Sequence, residues 1–200
     1  MIDVTNPAAP SELGFYATPD DAWDVYVADG LAYIAGGDSG LLVVNVTNPA
    51  QPVAVGAFDT PNTAWSLFVV DKTVYIADAA GSGLRIIDVT NPAVPAQIGF
   101  YVTPGIAHDV FVSGNFAYVA DYTKGLRVIN IANPANPTES GFYDTVGYAK
   151  GVFVKDNTAY IADNHGGLQL VNVTNPAQPT LITIPLEDAL RVGRGRHARA

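Results

Sequence analysis

The dipeptide Asn-Pro returns along this chain at a near-constant interval, and that interval limits what the chain can become. The asparagines stand at Asn6, Asn48, Asn91, Asn133 and Asn175, with spacings of 42, 43, 42 and 42 residues. A fixed period of this size marks a repeat architecture, in which each unit leans on its neighbours because it cannot bury its apolar face alone. Fourteen prolines and nineteen glycines fall at repeat-locked positions, so they punctuate turns and do not signal low complexity.

Within residues 107–144 four short runs follow one another. Ala107-His-Asp-Val-Phe-Val-Ser113 and Asn115-Phe-Ala-Tyr-Val-Ala-Asp121 flank a Ser-Gly-Asn hairpin turn. Gly125-Leu-Arg-Val-Ile-Asn-Ile131 comes third, and Thr138-Glu-Ser-Gly-Phe-Tyr-Asp144 fourth, after Asn133-Pro-Ala-Asn-Pro137. Four strands per repeat with short links predict a β-propeller blade. The runs are β-branched, aromatic and too short for paired helices. The other units align with this one: Tyr33, Tyr75, Tyr118 and Tyr160 share a second-strand position. Apolar first-strand cores such as Val25-Tyr-Val27 and Val152-Phe-Val154 predict strands buried on both faces. The expected fold is all-β: a propeller, or an open arc of one, with four complete four-stranded antiparallel blades and an N-terminal half-blade. The half-blade is placed at 2–17 and the blades at about 22–59, 64–102, 107–144 and 149–184, within a propeller region of 1–184.

These motifs, Leu84-Arg-Ile-Ile-Asp88, Leu126-Arg-Val-Ile-Asn130, the Asn-Pro-Ala-x-Pro links and the Gly-Phe-Tyr strands, resemble the LVIVD-repeat family of β-propellers. The resemblance covers residues 2 to about 184. It implies a propeller of the kind seen in bacterial and archaeal secreted or cell-surface proteins, hence an extracellular or surface location. It carries over no catalytic residue, because the family motif is a scaffold motif.

The ends depart from the period. Residues 2–17 supply the end of a third strand and a whole fourth strand, with no first or second before them. Residues 185–200 leave the repeat in an Arg-rich run, read as a solvated, disordered tail. Either the chain is a fragment of a longer propeller, which is the favoured reading, or it is a small ring closed imperfectly by the half-blade. The N-terminus carries no signal-peptide pattern and no apolar run is long enough to cross a membrane. Exposed terminal blades predict self-association.

Net charge is −9, and four of the ten basic residues lie within the last ten positions. A body this acidic repels phosphate backbones, which argues against nucleic acid as a partner. The absence of cysteine removes disulfides and thiolate chemistry.

Positions identical in every repeat are explained by folding. The Asn of Asn-Pro opens a turn by bonding backbone two residues on. Asp78, Asp121 and Asp163, at the ends of second strands, are expected to cap their own turns, and Gly36 replaces them in the first blade. Function belongs where repeats differ. The links between blades end in Trp23, Trp65, His108 and Lys150, beside Asp24, Ser66, Asp109 and Gly151, and these should converge near the axis. Trp23, Asp24, Trp65, Ser66, His108, Asp109 and Lys150 are therefore the candidate ligand-binding residues. Tryptophans suit a sugar ring or the apolar anchor of a protein partner. One axial histidine with scattered aspartates falls short of a metal set, no nucleophile motif appears, and no cofactor is expected. The reading is a non-enzymatic binding, adhesion or structural module with a protein or glycan partner. The alternative is a hydrolase or lyase working through Asp24, His108, Asp109 and Lys150.

Overall fold

A computed structural model describes residues 1–183. The off-repeat tail, with His197 and the terminal arginines, lies outside the described residues. Among the described residues eighteen strands form one two-stranded and four four-stranded antiparallel sheets. The half-blade pairs β1 (Ile2–Asp3) with β2 (Ser11–Glu12). The first blade runs β3 (Asp24–Ala28), β4 (Leu31–Ala35), β5 (Leu41–Asn45) and β6 (Val53–Phe58). The second runs β7 (Ala64–Val70), β8 (Thr73–Asp78), the single turn α1 (Ala79–Ser82), β9 (Gly83–Asp88) and β10 (Ala96–Tyr101). The third holds β11 (Asp109–Ser113), β12 (Phe116–Ala120), β13 (Leu126–Asn130) and β14 (Thr138–Tyr143). The fourth holds β15 (Gly151–Lys155), β16 (Thr158–Ala162), β17 (Leu168–Asn172) and β18 (Thr180–Leu181). Within each blade the strands pair in chain order, and the innermost strands β3, β7, β11 and β15 touch in succession. The result is an open propeller arc.

Strand alternation divides each sheet between two interfaces. Tyr33, Ala35, Leu41 and Val43 of the first blade face Leu67, Val69, Val74 and Ile76 of the second. One period on, Tyr75, Ala77, Leu84 and Ile86 face Val110, Val112, Ala117 and Val119. The next interface sets Tyr118, Ala120, Leu126 and Val128 against Val152, Val154, Ala159 and Ile161. The core is thus three equivalent layers between blades, and each fully buried aliphatic side chain contributes about 1.5–3 kcal/mol. The repeated tyrosines pack between blades at Tyr33, Tyr75 and Tyr118, while Tyr160, on the open face of the fourth blade, is partly exposed. The expectation of first strands buried on both faces fails at the ends of the arc. Val25, Val27 and Phe153 are exposed because no full blade covers those faces.

Two local devices set the spacing between blades. In the Asn-Pro turns the asparagine Oδ1 accepts the N–H two residues on, at 3.2 Å in all five repeats. The turn is then wedged against the fourth-strand glycine of the preceding blade. A Cβ on Gly14, Gly56, Gly99 or Gly141 would come within 1.9–2.5 Å of the next unit's Pro carbonyl oxygen. In the first three full blades the register skips one residue just before that glycine, at Val55, Ile98 and Ser140. Such a bulge bends the strand towards its neighbour.

Candidate functional site

The links between blades and the turns after each second strand meet on one face. The turn residue Gly37 bridges to Ala64 of the second blade's link, and Tyr122 bridges likewise to Ala149. At the junction of the second and third blades α1 changes the pattern: Ala79 N–H turns back to the Thr63 carbonyl at 2.9 Å. The one-residue insertion between Asp78 and Gly83 is spent on this helical turn.

Buried aspartates hold the links down. Asp121 accepts Thr103 Oγ1 at 2.6 Å and the Gly105 N–H at 2.8 Å, with Arg127 Nε at 3.8 Å. Asp163 does the same for Thr145 Oγ1 and the Gly147 N–H, at 2.5 and 2.9 Å. These carboxylates therefore reach the link and not their own turns, which corrects the expectation of turn caps. The first blade inverts the arrangement: Asp20 in the link accepts the Asp38 N–H of the turn at 2.8 Å, and Gly36 stands where the aspartate would be. The second blade matches neither form. Asn62 replaces the link glycine, and a side chain there cannot approach as Gly105 does, since a Cβ on Gly105 would lie 2.3 Å from the Asp121 carbonyl oxygen. Asp78 is fully buried with Arg85 Nε at 3.5 Å, and the donors around its carboxylate stand outside ordinary hydrogen-bond geometry. Thr60 Oγ1 donates to the Asn62 carbonyl instead, at 2.9 Å. Burial pushes the Asp78 pKa up, against the downward pull of nearby Thr60, Ser82, Arg85 and the Asn62 N–H. Burial also raises Asp121, opposed by Thr103, Gly105 and Arg127.

The predicted axial residues split into two groups. Asp24, Ser66 and Asp109 form a belt joining successive inner strands. Asp24 accepts the N–H of Leu67, in the next blade, at 3.0 Å and that of Val25 at 2.8 Å. Asp109 accepts the N–H of Val152, one blade on, at 2.7 Å and that of Val110 at 2.9 Å. Ser66 Oγ lies between the two carboxylates, 3.0 Å from Asp24 and 2.6 Å from Asp109. Its single proton suits the nearer acceptor, Asp109.

Trp65, His108 and Lys150 belong to a second group, completed by two residues that the residue pattern does not single out. The Trp65 ring lies 4.1 Å from His108, His108 5.7 Å from Tyr122, and Tyr122 4.6 Å from Tyr148 at an interplanar angle of 12°. Lys150 Nζ stands 5.9 Å from the Tyr122 centroid. The pile crosses three blades. Tyr122 joins it through a left-handed turn conformation (φ 52°) at the end of a second strand. Tyr148 comes from the last link. Burial, reinforced by the Lys150 charge, lowers the His108 pKa, and Asp109 opposes that shift. Trp23 does not join. It is 58% exposed and contacts none of these rings. Among the described residues no group of three or more metal-ligating side chains converges.

Radially stacked four-stranded sheets with a variable loop face define an open propeller arc. The LVIVD repeat matches this chain five times, over residues 1–18, 19–60, 61–103, 104–145 and 146–185, and the chain belongs to that family. No curated protein sequence matches it. Among solved structures it is similar to the computationally designed Ika4 protein, with a TM-score of 0.61 at 12% identity, over 78% of this chain and 94% of that one. It also matches the designed Ika8 protein, with a TM-score of 0.61 at 11% identity, over 78% of this chain and 47% of that one. A functionally unknown protein from Desulfotomaculum acetoxidans DSM 771 gives a TM-score of 0.69 at 13% identity, over 84% of this chain and 57% of its own. The chain thus spans about half the length of the last two. These likenesses establish the fold.

Proposed function

We propose that this chain is a non-enzymatic binding or adhesion module of a secreted or surface-attached protein, one arc of a larger propeller, and that its loop face recognises a protein or glycan partner. The observation that carries the reading is the pile of Trp65, His108, Tyr122 and Tyr148. Residues that differ from repeat to repeat are held there in one continuous feature, while the repeated residues serve the fold. Because the rings cover each other's faces, a ligand meets their edges, the Lys150 ammonium and the outer face of Trp65. That mixture suits an apolar or hydroxylated group with an acceptor alongside. Hydrolase or lyase chemistry needs Asp24 and Asp109 as working carboxylates, and both are engaged by backbone N–H groups of the next blade. Among the described residues no helix is long and apolar enough to cross a membrane. The exposed faces of the first and fourth blades add a second, self-associating surface.

The test is a glycan and protein array probed with wild type, Trp65→Ala, Tyr122→Ala and Trp23→Ala. Loss of the same partner in the first two variants, with Trp23→Ala retained, is the expected result. A partner bound equally by all four proteins ends the proposal for this face.

A further inference from the structure

The two ends of the arc carry the two halves of one interface. Inside the arc, Phe111, Tyr118 and Leu126 of the third blade meet Val152, Val154, Ala159 and Ile161 of the fourth. One period later Phe153, Tyr160 and Leu168 repeat the first set on the open side of the fourth blade, where they are 52%, 36% and 65% exposed. At the other end Val25, Val27, Ala32 and Ile34 repeat the second set on the outward side of the first blade. There they line an apolar groove of about 470 Å³. Donor and receptor surfaces are thus both present, residue for residue, and among the described residues neither is fully covered.

The half-blade shields only the outer part of the receptor. Tyr16 packs on the Ala32, Ile34, Leu42 and Val44 cluster, while Val25 and Val27 stay 59% and 60% exposed. Among the described residues the fourth blade's last strand, β18, is two residues long where β14 has six. It pairs with Val171 and Asn172, and the Ile182 N–H reaches the Leu170 carbonyl at 2.8 Å. The half-blade holds an unused fourth-strand sequence, Ser11-Glu-Leu-Gly-Phe-Tyr16, of the type that completes the other blades.

We propose that a second copy of this chain fills the groove. The fourth blade of each copy docks on the first blade of the other in the register of the internal interfaces, and two arcs close into one ring. The docked blade brings β17 and β18 to the place of β1 and β2, which give way, and Gly14-Phe-Tyr16 of the receiving copy continues the outer edge past β18. A ring closes because each copy presents both complementary surfaces. The inner-strand position of the fourth blade is Gly151, which has no carboxylate to offer the next blade, so the contact rests on its apolar side chains. The proposal rests on the self-association reading of the terminal faces and is independent of the aromatic pile.

Light scattering behind size exclusion, run on the full 200-residue chain across a dilution series, reads the assembly. The expected mass is twice 21.0 kDa. Val27→Glu and Phe153→Glu each give a monomer with wild-type circular dichroism. Mixing them restores a one-to-one pair, because the fourth blade of the first variant and the first blade of the second remain intact. Three results overturn the proposal: a monomeric wild type, a dimer that survives both substitutions, or a mixture that stays monomeric. A wild-type monomer that dimerises only after removal of residues 184–200 assigns the groove to the chain's own end and likewise overturns it. None of these outcomes touches the array test of Trp65 and Tyr122, so the two readings fail separately.

Discussion

Replacing Gly99 by alanine probes the contact between blades at its tightest point. Gly99 lies on β10 of the second blade, and a Cβ there would sit 1.9 Å from the Pro134 carbonyl oxygen and 3.0 Å from its carbon. Both partners are backbone, so no side chain can swing aside. Restoring an ordinary contact requires the second and third blades to part by about 1 Å, a gap that forfeits a quarter to a half of each facing dispersion contact. Overpacking of this kind costs about 1–3 kcal/mol, and a backbone obstacle puts Gly99→Ala near the upper end, about 3 kcal/mol. For a chain of this length each kcal/mol moves the melting temperature by about 2–4 °C, so a fall of roughly 6–12 °C is expected. Thermal melting by circular dichroism, with urea unfolding as the second measurement, gives the number. Gly114 supplies the control. A Cβ added there would meet nothing within 4 Å, and its φ of +55° is one that asparagine tolerates, so Gly114→Asn should cost well under about 1 kcal/mol. A Gly99→Ala protein as stable as Gly114→Asn refutes the wedge.

Other outcomes follow from the loop face. Asn62→Gly should let the link N–H, already turned toward Asp78, close to full hydrogen-bonding distance. A charged hydrogen bond worth about 1.5–3 kcal/mol then outweighs loss of the Asn62–Ser82 bond and the entropy of glycine, for a net gain of about 1 kcal/mol. Equal or lower stability in urea contradicts that account. His108 has its pKa lowered in the fold, so its stabilising contribution is present above the unfolded value of about 6.5 and is lost as pH falls through the folded one. The urea midpoint of wild type should therefore drop relative to that of His108→Gln between neutral and mildly acidic pH, and parallel profiles argue against it. Trp65→Ala should strip the nearest ring from His108 and shrink this difference, whereas Trp23→Ala should leave it unchanged.

The Asn-Pro interval and the alternation within each strand are enough to read blades, links and the packing role of Tyr33, Tyr75 and Tyr118. They do not show how one blade meets the next, because that depends on radial placement and not on order along the chain. By sequence Asp24 and Asp109 are free axial carboxylates; the structure turns them onto the backbone of the following blade. By sequence Asp121 and Asp163 are turn caps; in the fold they hold the links to their own blades. A signal for that is present in the co-occurrence of Thr103-x-Gly105 with Asp121 and Thr145-x-Gly147 with Asp163, and in the exchange to Asp20 with Gly36. Trp65, His108 and Lys150 are legible from their link positions, and Tyr148 sits in the same kind of link without a repeated counterpart to mark it. Tyr122 is hidden because a left-handed residue in a turn gives no periodic signal, and Trp23 groups with the rest by position alone.

The central claim is that the innermost strands of the second and fourth blades each place an amide on the aspartate of the blade before, Leu67 on Asp24 and Val152 on Asp109. Amide hydrogen exchange at Val152 tests this most directly, since its N–H is met at 2.7 Å by Asp109 of the preceding blade. Protection of Val152 in wild type, lost in Asp109→Ala while the β16 amides stay protected, is the predicted result. Exchange at Val152 as fast in wild type as in Asp109→Ala would contradict it.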